Sequence, residues 1–174
     1  GAAAGGAAAG GAAAGGAAAG GAAAGGAAGP VLARSNHSTT VQISNNDAIV
    51  AMVNPDVGTV SFFNTTTKTK SGSASFGANS QPEGVAILPD NTTALVILRQ
   101  AQQLAKVTGI NTTTPQVEVL RATTGSEPTG VALTSTGATA FVANHGENTI
   151  SIVDLRTMQA TSLAMPSQPR AVAI

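Results

Sequence analysis

Cysteine, tryptophan and tyrosine are absent from this 174-residue chain, and charged residues make up only 9% of it. Without cysteine there is no disulfide and no thiolate metal site. The 8 basic and 8 acidic residues cancel to zero net charge, which excludes the basic stripe that a nucleic-acid surface needs to neutralise phosphates. No window reaches the roughly 18 consecutive apolar residues of a membrane-spanning helix. Phenylalanine occurs only 4 times, so a core has to come from Val, Ile, Leu and Ala, which suit tightly packed sheets. Thr, Ser and Asn supply much of the polarity that charge does not.

Residues 1–29 are Gly and Ala alone, and residues 1–25 repeat Gly-Ala-Ala-Ala-Gly without exception. Two adjacent glycines per pentad weaken a helix by roughly 1 kcal/mol each relative to alanine. The tract has no charged n-region and no varied apolar stretch, so it does not read as a signal peptide. It reads as a linker or as stand-in residues for unassigned sequence, with a silk-like tract as the alternative. It carries no functional argument.

The rest of the chain repeats. Pro82-Glu-Gly-Val-Ala-Ile returns as Pro128-Thr-Gly-Val-Ala-Leu after 46 residues and as Pro169-Arg-Ala-Val-Ala-Ile after a further 41. A fixed period in this range marks units that bury their apolar faces only by stacking. Within 128–168 the runs 130–133, 139–143, 149–153 and 160–165 alternate or cluster as short strands separated by turn residues. The unit at 82–127 follows with strands at 84–88, 93–98, 104–110 and 116–121, and the unit at 37–81 with strands at 40–43, 48–53, 59–63 and 73–76. The expected fold is therefore all-β, a β-propeller of four-stranded antiparallel blades with three full blades. Partial blades are expected at both ends: an outer strand at 31–33 and an inner strand at 171–174. The two ends, together about one blade long, could alternatively complete a fourth blade and close the ring. A β-solenoid or open sandwich is the runner-up architecture.

Pro128-Thr-Gly-Val-Ala, Ala140-Phe-Val-Ala-Asn and Asn148-Thr-Ile-Ser-Ile-Val-Asp154 resemble the YVTN β-propeller repeat family over about residues 37–174. Phe141 stands where that family prefers Tyr, and the middle unit has Leu95-Val-Ile-Leu98 with no Asn after it. The resemblance implies a propeller exported by a prokaryote to the cell surface or exterior. Its motif residues then serve packing and turns.

Strand alternation sorts the loops by face. The channel-mouth face is expected to carry Asn36, His37, Asp56, Glu83, Arg99, Glu127, His145, Glu147 and Arg170. Of these, Glu83, Arg99, Glu127, His145, Glu147 and Arg170 are the candidate ligand-binding residues. His37 and His145 lack further ligands at metal spacing, so no metal or other cofactor is expected. No G-x-S-x-G elbow occurs, and no catalytic residue is assigned. Asp90 and Asp154 open turns. Asn36, Asn64, Asn91 and Asn111 head N-x-[ST] sequons, which turn chemistry explains equally well as glycosylation.

These features lead to a non-enzymatic extracellular or cell-surface propeller that binds a protein or a surface polymer. One alternative is a self-assembling layer or filament subunit, pairing with its own copies through open blade edges. Another is the propeller of a hydrolase, lactonase-like, or of a redox enzyme, by analogy of fold.

Overall fold

The computed structural model describes Gly1 and residues 40–174. The expected outer strand at 31–33, the Gly/Ala tract, Asn36, His37 and the proposed fourth-blade closure lie outside the described residues. The chain divides into Gly1–Val31 and Leu32–Ile174, and the fold below is that of the second unit.

Among the described residues, thirteen strands form three antiparallel sheets. The first sheet runs β1 (Val41–Ile43), β2 (Ile49–Asn54), β3 (Thr59–Asn64), β4 (Thr69–Ser75). The second runs β5 (Pro82–Ile87), β6 (Thr93–Leu98), β7 (Gln103–Thr108), with β8 (Gln116–Val117) and β9 (Ala122–Thr123) both paired to β7. The third runs β10 (Pro128–Leu133), β11 (Thr139–Asn144), β12 (Thr149–Asp154), β13 (Gln159–Ala164). Each sheet is one propeller blade, entered through a strand that packs beside its counterparts: β5 lies against β10 on one side and β1 and β2 on the other.

The alternation of apolar residues is what stacks the blades. Val85 and Ile87 of β5, Val96 and Leu98 of β6, and Ala105 and Val107 of β7 face the first blade, where they meet Ile49, Ala51, Val53, Val60 and Phe62. Their neighbours Ala86, Leu95, Ile97 and Leu104 face the third blade and meet Val131, Leu133, Ala140, Val142 and Val153. Strand β6 lies between two neighbours, and all six of its residues are buried. This explains why Leu95-Val-Ile-Leu98 reads as a continuous apolar run, with no half-buried alternation.

With the strands of a blade lettered a to d in chain order, two asparagines lock strand c to strand b. Asn54 Nδ2 donates to Thr59 Oγ1 (3.0 Å) and Ser61 Oγ (3.1 Å). Asn144 Nδ2 donates to Thr149 Oγ1 (3.0 Å) and Ser151 Oγ (2.8 Å). In the middle blade the same place is taken by Leu98, which is fully buried, so an apolar contact replaces the polar clamp there.

Three expected elements differ: the fourth strand of the first blade, expected at 73–76, begins four residues earlier and runs Thr69–Ser75, and two others depart further. The fourth strand of the middle blade is split into β8 and β9, because residues 119–121 leave the ladder, whereas the Glu118 N–H still donates to the Lys106 carbonyl at 2.9 Å. Val119 points fully into solvent, and Glu118 turns back as an ion partner of Lys106 at 3.4 Å. Residues 171–174 form no strand. An inner strand pairs with the strand that follows it, and none is present there among the described residues. The segment instead lies over β10, where Thr129 Oγ1 donates to the Arg170 carbonyl at 2.9 Å. A Cβ on Gly130 would sit 3.2 Å from that carbonyl, so a larger residue here would press the segment outward by a few tenths of an ångström.

Removing side-chain volume between blades should cost far more than removing it at the rim. Ile97→Ala, at a fully buried position, is expected to lower stability by about 2–5 kcal/mol, whereas Leu163→Ala, 51% exposed, should change it by under about 1 kcal/mol. Denaturant melts of the two variants check this.

Candidate functional site

The mouth face is built from two kinds of loop: those joining one blade to the next, and those joining strands b and c. Backbone hydrogen bonds tie them together at equivalent places. Arg99 N–H donates to the Gln81 carbonyl (2.9 Å), and His145 N–H donates to the Glu127 carbonyl (3.0 Å). Gln81 and Glu127 each precede the proline that opens a blade, and each holds positive φ, 45° and 50°. Such a conformation at a non-glycine residue costs on the order of 1–3 kcal/mol and persists only where its surroundings enforce it.

The side chains converge on Arg99. Its Nη1 lies 3.9 Å from Glu83 Oε2, and its Nη2 lies 3.5 Å from Glu127 Oε2. His145 Nδ1 lies 3.4 Å from the same Glu127 oxygen. The arginine and both carboxylates are 38–48% exposed, so these pairs contribute little to stability and remain within reach of a ligand. A cavity of about 320 Å³ opens here, lined by Gln81, Arg99, Gln100, Gln102, Ser126 and Glu127. A second, of about 280 Å³, shares Gln81 with it and reaches Glu83, Asn79 and Asp56.

Four of the six candidate ligand residues, Glu83, Arg99, Glu127 and His145, are thus brought together. Glu147 is on the same side but lines a separate cavity of about 150 Å³ with Thr123, Gly125 and Ser151. Arg170 is exposed, and its carbonyl is what engages the blade. The glutamines and Ser126 were not singled out from the sequence. Their signal was available in the phase of the repeat: the residue before each blade-opening proline and the residues just after strand b.

The opposite face carries a larger cleft, about 480 Å³, bordered by Asp90, Thr93, Lys106, Glu118, Asp154 and Arg156. Its Asp90, Asp154 and Lys106 are already engaged. Asp90 Oδ1 accepts from Thr92 N–H and Thr93 N–H (both 2.9 Å), and its Oδ2 accepts from Thr93 Oγ1 (2.7 Å). Lys106 Nζ donates across the blade boundary to the Leu155 carbonyl (2.9 Å). Partial burial acts to raise the Asp90 pKa, but the bonds from Thr93 and Thr92 outweigh it and hold the carboxyl below the usual aspartate range. The backbone N–H groups of Thr157 and Arg156 lower Asp154 in the same sense. Both aspartates are turn residues, as their positions suggested.

The sequon asparagines do similar work. Asn64 Oδ1 accepts from Thr66 and Thr67 N–H, both at 2.9 Å, and Asn91 Nδ2 donates to the Pro89 carbonyl at 3.1 Å. Asn111 is exposed beside the turn that follows β7. Among the described residues no group of three or more His, Cys, Asp or Glu could hold a metal ion, and no helix is long and apolar enough to cross a membrane.

No protein-family model matches the chain, and no curated protein matches it. Solved structures do. Hydrazine synthase of Kuenenia stuttgartiensis is 22% identical, with a TM-score of 0.66 over 75% of this chain and 36% of its own. A putative 6-phosphogluconolactonase of Bacteroides fragilis is 19% identical, with a TM-score of 0.65 over 79% of this chain and 42% of its own. The β-propeller domain of Cps50 (Swd1) from Myceliophteria thermophila is 15% identical, with a TM-score of 0.61 over 75% and 43%. Others include a virginiamycin B lyase of Staphylococcus aureus and a periplasmic gluconolactonase of Pseudomonas aeruginosa. At such identity the likeness establishes the propeller fold, and the chain spans less than half the length of each of these structures. The expected non-enzymatic surface scaffold, with its layer- or filament-forming alternative, is corrected by this comparison. The structures that share the fold include lactonases and a lyase, and none of those named is a surface scaffold.

The Asp90 turn predicts an acid-range signature. A carboxyl held below its unfolded value of about 3.9 contributes stability that is fully present above that pH and is lost as pH falls through the lowered folded value. Asp90→Asn is expected to flatten the fall in melting temperature between about pH 4 and pH 2, with little change in slope above pH 5. Melts across that range decide it.

Proposed function

We propose that this chain supplies part of the active face of a propeller hydrolase that opens a polar, hydroxyl-rich lactone. The observation that carries the reading is Arg99, set between the carboxylates of Glu83 and Glu127 at a strained, cavity-lined mouth. Support also comes from the lactonases among the structures that share the fold.

The chemistry needs two things of the protein. One group must take a proton from the attacking water, and one must stabilise the negative charge that develops on the acyl oxygen. Glu127 is the base in this reading, and the Arg99 guanidinium faces the acyl oxygen. Water oxygen bonds to the acyl carbon, the ring C–O bond breaks, and the proton taken by Glu127 passes to the departing alkoxide. The product is a hydroxy acid whose carboxylate again suits Arg99. Gln81, Gln100 and Gln102 offer both donors and acceptors to the hydroxyls of such a substrate. The YVTN-like repeat, on this reading, builds the blades and leaves the chemistry to the loops.

Arg99→Ala and Glu127→Gln are each expected to lower kcat/KM on D-glucono-1,5-lactone by about 100-fold or more. The measurement is a pH-stat titration corrected for spontaneous hydrolysis. Wild-type rates in either variant, or no acceleration by the unaltered protein, would sink the reading.

A further inference from the structure

We infer that His145 is a positioning residue for Glu127, an inference that rests on the hydrolytic reading of the mouth. Consecutive blades provide an internal comparison. Arg99 and His145 each follow strand b directly, and each is tied through its backbone N–H to the residue before a blade-opening proline. From this shared place the two side chains go different ways. Arg99 lines the cavity with its side chain 38% exposed. The His145 side chain is only 19% exposed and lies against Glu127.

The two ring nitrogens of His145 have unlike surroundings. Nδ1 is 3.4 Å from Glu127 Oε2. Nε2 is shut off from solvent and has no hydrogen-bond partner. A proton on Nε2 would bury a donor with nothing to accept it, whereas a proton on Nδ1 is directed at a carboxylate. The Nδ1–H tautomer is therefore the one that this pocket selects. It donates to Glu127.

The geometry also says which oxygen is held. Arg99 Nη2 and His145 Nδ1 both approach Oε2 of Glu127. With Oε2 fixed from two sides, Oε1 is the oxygen left to face the water that is to be activated. The backbone beneath it is fixed as well. Glu127 is held at φ 50° before Pro128, and the loop carrying His145 is seated closely on it. A Cβ on Gly146 would lie 2.8 Å from Ser126 Oγ and 3.2 Å from Glu127 Cγ. Glu83 also meets Arg99, its Oε2 lying 3.9 Å from Nη1.

The deciding experiment combines imidazole nitrogen NMR with kinetics on the full chain. His37 and His145 are its two histidines, and a His37→Gln background isolates the signal. The expected result is the Nδ1–H tautomer at His145, lost in Glu127→Ala. His145→Ala should lower kcat on D-glucono-1,5-lactone about 10-fold or more with KM nearly unchanged. His145→Asn, which retains a side-chain N–H near Nδ1, should restore part of that loss. An Nε2–H tautomer in the unaltered protein overturns the inference. So does wild-type kcat in His145→Ala alongside an inactive Glu127→Gln. Full turnover by Glu127→Gln sinks the hydrolytic reading instead, and the tautomer measurement still decides whether His145 holds Glu127.

Discussion

A sheet of four short strands built from Val, Ile, Leu and Ala has two apolar faces, and in the middle blade a neighbouring sheet covers each of them. The middle blade shows the consequence at full strength: β6 is buried at every position because blades press on it from both sides. In the outer two blades the same strand alternates, with Val50 and Met52 of β2, or Phe141 of β11, only half-buried. Stacking is thus the interaction on which the strands, the loops and the mouth all depend. Each strand pair is too short to be stable in isolation.

Stacking also explains why the mouth can hold strained backbone. The loops at Gln81 and Glu127 are clamped between a proline that opens one strand and a neighbouring loop that donates to their carbonyls. The repeat provides the same two positions in successive blades, and the side chains placed there differ: Gln81 with Arg99, then Glu127 with His145. Constant backbone with variable side chains lets a repeat carry chemistry without altering its packing. The larger cleft on the other face shows the opposite case. Its Asp90, Asp154 and Lys106 are engaged in turns and in a bond across the blade boundary.

Much of the blade order was legible because it is local. Period-2 alternation and the turn residues after each run place β2, β3, β6, β11 and β12 within a residue or so of where they lie. Misses occurred where a strand depends on its partner. The fourth strand of the middle blade splits at residues 119–121, which leave the ladder after the Glu118 N–H has donated to the Lys106 carbonyl at 2.9 Å. Residues 171–174 repeat the inner-strand motif but have no following strand to pair with among the described residues, so the motif alone does not make a strand there. For the site, strand parity assigned Glu83, Arg99, Glu127 and His145 to one face, and the structure brings these four side chains together. Glu147 and Arg170 share that face but point elsewhere, a matter of rotamer and local packing that parity does not encode.

The sequence by itself determined the repeat, the strand phase and the side of the blade on which each loop emerges, because these follow from periodicity along the chain. Only the tertiary structure decided that Arg99 of one blade reaches Glu127 of the next, and that His145 turns inward while Arg99 turns out. Those outcomes depend on how closely neighbouring blades approach and on which polar atoms that approach leaves without water. Distances between blades are set by packed side chains from segments some 45 residues apart, and no local pattern contains them.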